Sequence, residues 1–333
     1  MFSTVLAGVW GDALTQAFGP LAVYYAIAAI GLNIHFGYTG LLNFGQVGFM
    51  LVGAYGLGFG ITTWDLPWFM AIGLGLLLAA VLGVILGLPT LRLRADYLAI
   101  VTIASSEIVR LLGRSNVFKD YTGGAEGLSG WSGWFQDHTP WQNTFYSFGP
   151  ITYTKMQVFV VVFGWLTVAL LVLMVHLLMR SPWGRVLKAI REDEDAARAL
   201  GKNAYSYKMQ ALLLGGVIGG IAGMFAAVSN GTVQPDFYVP NVTFFTWTIL
   251  ILGGAARVFS PVVGAILFWF MLTIAEGLLR IVEESDALPK SLLSPTDIGD
   301  FRYMLMGASL MLLLIFRPQG IFGDRAEMAL DDH

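Results

Sequence analysis

The sequence predicts an all-α protein, a polytopic bundle of transmembrane helices forming a single membrane domain over residues 1–333. Three observations predict it. Of the 333 residues 56% are hydrophobic and 12% charged, whereas ordinary soluble domains carry about 25% charged residues. At a mean hydropathy of +0.69 the chain has too little polar surface to cover itself in water. Its apolar residues also fall in long uninterrupted runs, not in short alternating strands, and in lipid only helices or closed barrels pair every backbone group. Finally, Lys and Arg collect in the loops between runs, the asymmetry that orients a chain in a bilayer.

Spans need about 20 mostly apolar residues, and such a window selects about nine candidates. They are 13–34, 41–61, 68–91, 97–113, 156–179, 209–229, 242–256, 261–279 and 303–317. Two of them, 41–61 and 242–256, are short or interrupted by glycine, which marks half-helices or re-entrant pieces beside a cavity. Met1 to Gln16 holds no Lys or Arg ahead of its apolar run, so no cleaved secretory signal is expected. The loop 180–208 carries Arg180, Arg185, Lys188, Arg191, Arg198, Lys202 and Lys208 and is placed in the cytosol. Alternation then puts Arg92, Arg94, Arg257, Arg317, Arg325 and the tail 318–333 on the same side. It puts 62–67, 114–155 and the stretch 281–302 outside, with the amino terminus also external. Glu283, Glu284, Asp286, Asp297 and Asp300 against Lys290 alone agree with that side for the last of these.

Several function classes are excluded or disfavoured. Cysteine is absent, so no disulfide, thiolate nucleophile or cysteine metal site exists. A formal charge of −3 gives no reason to expect a nucleic-acid partner. The chain has no GxxxxGK[ST] phosphate loop, so it is not expected to hydrolyse ATP by that route. His35 and His176 lie near span ends without a second ligand at metal spacing and read as interfacial; no metal or cofactor is expected. Lack of a cluster of His and acids also argues against a membrane enzyme. Trp64, Trp68 and Trp183 sit where interfacial Trp accumulates. Trp131, Trp134 and Trp141 fall in the external segment, read as a loop packed on the bundle, with a lid or a contact with a binding protein as the alternatives. The 40 glycines are patterned: Gly215, Gly216, Gly219, Gly220 and Gly223 repeat a GxxxG spacing, and Gly53, Gly56, Gly58 and Gly60 thin the second span. Such stripes let helix backbones approach closely, so packing is the favoured reading over contact with a substrate.

The most informative stretch is RSPWGRVLKAIREDEDAARALGKN, Arg180 to Asn203. Ser181 is placed to cap a helix with Pro182 at its first position. Glu192, Asp193, Glu194 and Asp195 stand where a second short helix would begin, its dipole favouring anions there. Gly201 supplies the left-handed residue that ends it. A short charged helix between two spans suits a soluble partner, with Ala196, Ala197 and Leu200 as its apolar contact and Arg191, Glu192 and Asp195 as a charged rim. The plainer reading is a solvated basic loop.

Asp195, Ala196, Ala197 and Gly201 match the EAA signature of importer permeases: acid, Ala, Ala, three residues, Gly. Around it, GLNIHFGYTGLLNFGQVGFMLVGAYG at 31–56, LRLRADYLAIVTIASSEIVRLL at 91–112, TGGAEGL at 122–128, ILGGAARVFSPVVGAIL at 251–267 and FRPQGIFG at 316–323 extend the likeness over most of the chain. The sequence resembles the branched-chain amino acid permeases of the LivM type. It departs from them at Arg257 to Ser260, where the family usually has a small-residue turn ending in Gly before Pro261. The resemblance implies one half of the translocation path of an ABC importer for branched-chain (hydrophobic) amino acids in a bacterial inner membrane. It implies as partners a second homologous permease subunit, two ABC ATPase subunits and an extracytoplasmic substrate-binding protein. In that family the helix around Asp195 seats in a groove of the ATPase. A urea or amide permease is the near alternative and an ion-coupled secondary carrier the distant one.

Ionisable groups within a span cost at least about 2.5 kcal/mol on insertion scales, so each needs a partner or a cavity. Glu107 and Arg110 are three apart, and Glu276 and Arg280 four apart, spacings that allow pairing on one helical face. An internal ion pair is favoured over a lining for a zwitterion, although Glu107 is retained as a path candidate. Asn33, Asn43 and Gln46 flank or enter the glycine-rich second span; they either line the path or bond to broken-helix backbone.

Overall fold

The computed structural model describes residues 2–91, 95–133, 135, 145–149, 151–284, 298–316 and 320–322. Arg92, Arg94, Trp134, Trp141, Asp286, Lys290, Asp297, Arg317, Arg325 and, apart from 320–322, the tail 318–333 lie outside the described residues. Helices run over Phe2–Phe18 (α1), Pro20–His35 (α2), Gln46–Thr62 (α3), Trp68–Thr90 (α4) and Ala95–Arg114 (α5), then the single turn Lys119–Thr122 (α6). Lys155–Arg180 (α7), Pro182–Glu192 (α8), Glu194–Ala199 (α9), Ala204–Asn230 (α10), Pro240–Gly253 (α11), Ser260–Glu284 (α12) and Ile298–Phe316 (α13) follow. Among the described residues five stretches are long and apolar enough to cross a membrane: Gly8–His35, Trp68–Thr90, Lys155–Arg180, Ala204–Asn230 and Ser260–Ile281. The glycine-interrupted segments are short as expected: α3 has 17 residues and α11 has 14.

Three expectations change. The first span, read as 13–34, is two helices, because Gly19 is extended and Pro20 opens α2, so the ladder of α1 stops there. The second begins at Gln46, with the chain from Leu41 to Gly45 outside any helix. The segment 114–155, expected as an external loop, is not all loop: Phe145–Phe148 (β1) pairs antiparallel with Ile151–Thr154 (β2). The Tyr153 hydroxyl donates to the Thr15 carbonyl at 2.8 Å, fastening this hairpin to α1. Burial pushes that hydroxyl's pKa up to about 12.

Helix α10 lies at the centre, packed against α2, α3 and α4; α12 covers α1 and α2, α7 lies on α2 and α5 on α3. The glycine stripes explain this. A Cβ placed on Gly31 would stand 2.5 Å from the Gly215 carbonyl oxygen, and one on Gly53 would stand 2.5 Å from Gly220 Cα. Backbones therefore touch directly, as small-residue interfaces in lipid permit. Leu77, Ile85, Leu166, Leu170 and Leu173 on α4 and α7 are exposed, the apolar surface a bilayer requires. Trp131 is buried in the main core, so that part of the segment 114–155 packs on the bundle.

Candidate coupling and translocation sites

The segment after α7 folds as its caps dictate. Ser181 is extended and α8 starts at Pro182, but the Ser181 hydroxyl turns back to the Leu178 carbonyl at 2.7 Å instead of capping. Asp193 is the N-cap of α9: one carboxylate oxygen accepts from the amides of Asp195 and Ala196, both at 2.9 Å. Glu194 and Asp195 occupy the first turn, and Arg198 closes on both, at 2.6 and 3.6 Å. Lys208 of α10 also pairs with Glu194 and ties the short helix to the bundle. Gly201 stands at φ +77° and its amide donates to the Arg198 carbonyl at 2.9 Å, ending the helix as expected.

What α9 presents differs from the expectation in one respect. Ala197 is buried with Ile190 and Ala204 in a small cluster of the chain's own. Only Ala196 and Leu200 of the three apolar residues remain outward, and Leu200 is 81% exposed. Asp195 and Glu192 are exposed beside them. Arg191 is directed elsewhere: its guanidinium donates to the Gly37 carbonyl at 2.6 Å. That bond joins the helix pair α8–α9 to the loop between α2 and α3.

The loop leads into a closed polar network. His35, Asn43 and Gln46 are completely buried, and Asn33 nearly so. His35, read as interfacial from the sequence, instead sits inside: its Nε2 meets the Leu212 carbonyl at 3.1 Å and its Nδ1 the Asn43 amide at 3.0 Å. Asn43 donates through its amide, so Nδ1 accepts and Nε2–H is the donor. Asn43 also accepts from the Gly45 amide at 2.8 Å and donates to Gln46 Oε1 at 3.1 Å. Gln46 in turn donates to the Gly215 carbonyl at 3.2 Å. Thr243 accepts from the Val47 amide, and Thr102 from the Phe44 amide, each at 3.0 Å. Within 41–45, Thr102 of α5, Trp247 of α11 and Asn43 itself thus take backbone groups that a continuous helix would have paired, and His35 and Gln46 hold the Asn43 side chain in place.

Asn33 does the same for the second break. Its Oδ1 accepts from the Ala256 amide and its Nδ2 donates to the Arg257 carbonyl, both at 2.9 Å. Ala256 there has φ +64°. From the far end of the chain, the amides of Ile321 and Phe322 donate to Leu252 and Gly253 at 3.0 and 3.1 Å, satisfying the last carbonyls of α11.

On the opposite face Glu107 and Arg110 form a bidentate pair at 2.9 and 2.6 Å. Arg110 also reaches Asp236 at 2.8 Å, which ties α5 to the loop before α11. Glu276 pairs with Arg280 at 2.7 Å and with Arg302 of α13. Asp236 and Arg302 had no local sequence signal, because each partner lies far along the chain. The TGGAEGL stretch lies over the end of α3: Tyr55 donates to the Thr122 carbonyl at 3.2 Å, and Leu128 exchanges two backbone bonds with Val233 at 2.9 Å.

Apolar spans around a thin glycine core, two helices broken and repaired by buried amides, and a short capped helix exposed on the surface of the bundle define a membrane transport subunit. The chain belongs to the family described as branched-chain amino acid transport system, permease component, which matches residues 18–314. It is similar to the high-affinity branched-chain amino acid transport system permease protein LivM of Escherichia coli, with 30% identity over 95% of this chain and 72% of the relative. The protein of the same name from Salmonella typhimurium is 31% identical over the same shares. A probable branched-chain amino acid transport permease protein LivM of Methanocaldococcus jannaschii is 27% identical over 90% of this chain and 91% of its own length. No solved structure matches.

Proposed function

We propose that the chain forms half of the translocation path of an importer for branched-chain amino acids, moved by separate ATPase subunits that seat α9. In this reading residues 180–208 and the tail are cytosolic, 114–155 is extracytoplasmic, and the membrane is a bacterial inner membrane. The partners are a second, homologous permease, two ATPases and a substrate-binding protein. The chain itself supplies no ATPase site.

The observation that carries the reading is the Arg191–Gly37 bond, because it gives the docking helix a mechanical output. Leu200 and Ala196 enter the ATPase groove, Glu192 and Asp195 set the register, and Ala197 anchors the helix to its own bundle. A shift of α9 pulls Arg191, Arg191 pulls the loop after α2, and Asn43 and Gln46 transmit it to α3 and α10. Packed elements with discrete arrangements carry such coupling well. Asn33, Asn43 and Gln46 then shape the path through the backbone they hold. Glu107, one-third exposed and held by Arg110, is the path candidate with an accessible side chain.

The test is uptake by proteoliposomes holding both permeases and both ATPases, supplied with the binding protein. Leucine, isoleucine or valine should enter only with ATP, and Leu200→Asp should abolish entry while the complex still assembles. Uptake by this chain alone that follows an ion gradient and ignores ATP would establish the carrier reading instead.

A further inference from the structure

A cleft of about 710 Å³ lies between α1, α12 and α13. Leu21, at the start of α2, lines it, whereas Gly37, which holds Arg191, follows the end of that helix. At the rise of an α-helix this sets the cleft and the Arg191 bond about 24 Å apart. Thr15 also lines the cleft, and its carbonyl accepts from Tyr153 of β2, so the cleft lies at the hairpin end of the bundle.

Groups suited to both signs of charge meet there. Glu276 of α12 holds Arg280 at 2.7 Å and also pairs with Arg302 of α13, which positions two guanidiniums in the wall. That pairing leaves donors over. Arg280 is 64% exposed, Arg302 Nε is buried and donates to nothing among the described residues, and the same holds for Trp269 Nε1 beside it in the lining. Buried donors are nearly always paired, so two of them at one cleft point to an acceptor that comes from outside the chain. From α1, Asp12 presents an exposed carboxylate to the same space. Val9, Leu21 and Leu272 add apolar surface.

We propose that this cleft is a receiving site for an apolar amino acid in its zwitterionic form, separate from the buried amides around the broken helices. The carboxylate of the ligand takes Arg302 and Trp269 Nε1 with Arg280 beside them, the ammonium faces Asp12, and the side chain lies on Val9, Leu21 and Leu272. Charge-assisted bonds of this kind are the strong ones. A simple anion would bring its charge against Asp12, and a simple cation would leave the guanidiniums and the indole N–H unused; a zwitterion matches both. The choice of an amino acid rests on the importer reading, in which the hairpin end is extracytoplasmic and substrate arrives there. Tyr303 of the lining stacks on Phe245 of α11 with ring centroids 5.5 Å apart, and Trp269 lies 5.3 Å from the Tyr25 ring of α2. An occupant therefore bears on one broken helix and on the helix that leads into the other break.

The test is saturation-transfer NMR on the purified full-length chain in a neutral detergent, with leucine, leucinamide and 4-methylpentanoate as competing probes. Leucine should bind about tenfold more tightly than either analogue, because leucinamide lacks the carboxylate and 4-methylpentanoate the ammonium. Asp12→Asn should erase the preference over 4-methylpentanoate and keep that over leucinamide, Asp12→Glu should retain both, and Arg302→Gln should erase the preference over leucinamide. Asp120→Asn, an exposed acid of α6 outside the cleft, should change neither. The comparison of the three probes on the unmodified chain stands whether or not a variant folds. Leucine that binds no tighter than the analogues, or not at all, overturns the proposal, as does a pattern that Asp12→Asn and Arg302→Gln leave unchanged in folded protein. Displacement of leucine by phosphatidylethanolamine and not by phosphatidylglycerol overturns it too, since the cleft would then hold a zwitterionic lipid headgroup. ATP-driven leucine uptake by the complete transporter without this binding pattern removes the receiving site and leaves the importer standing; the pattern without such uptake removes the importer and leaves the site.

Discussion

At the scale of the residue, the buried amides replace backbone bonds that lipid cannot supply. Asn43→Ala removes the acceptor of the Gly45 amide and the partner of His35 Nδ1 together. Leaving such groups orphaned costs about 1–3 kcal/mol, so the variant should melt several degrees lower in detergent. An unchanged melting temperature would mean that the network adds nothing to stability. Glycine makes a sharper contrast, because the expected sign depends on position. Gly53→Ala drives a methyl group against Gly220 Cα and should cost about 1–3 kcal/mol. Gly73 on α4 has nothing within 4 Å of where a Cβ would stand. Gly73→Ala should therefore stabilise, by up to about 1 kcal/mol, through helix propensity alone. Thermal melts of the two variants side by side check both signs.

At the scale of the element, α9 is only six residues long, too short to hold itself without its cap and its tether to Lys208. Asp193→Ala removes a cap worth about 1 kcal/mol and should lower coupled uptake severalfold while membrane insertion and the melt of the bundle hardly change. Gly201→Asp forces a side chain into a φ of +77°, and Asp195→Lys reverses a rim charge. Both should leave ATP hydrolysis running without uptake, and normal coupled uptake by them would remove α9 from the contact. This element was legible in the sequence because caps are local: an acid run ahead of Ala196 and a glycine at 201 fix both ends. Even so, Ser181, expected to cap α8, makes no cap bond, while Asp193, expected only as one of a run of acids favoured by the dipole, caps α9. The break at Gly19–Pro20 was also written in the sequence, but a hydropathy window averages over it. What stayed hidden joins distant positions: His35 with Leu212, Arg191 with Gly37, Arg110 with Asp236. No period or spacing encodes such pairs, so Asn33, Asn43 and Gln46 had two readings until their backbone partners were seen.

At the scale of the whole molecule, the proposed function divides the architecture into a drive surface and the remainder of the bundle. The drive surface is the pair α8–α9, held by Arg191 to the loop after α2 and by Lys208 to α10. Beyond it, α10 and its glycines bind the helices closely enough to move together. On the proposed reading something must push on α9, so uptake should require the ATPases. Because the chain has no cysteine, a single introduced thiol reports unambiguously. The most direct measurement places Leu200→Cys in the assembled transporter and tests for a short-range cross-link to a cysteine introduced in the groove of the ATPase subunit. The account predicts a cross-link that forms in good yield and changes with the nucleotide bound. No cross-link in an intact, ATP-driven complex, with the thiol instead reacting from the opposite side of the membrane, would contradict it.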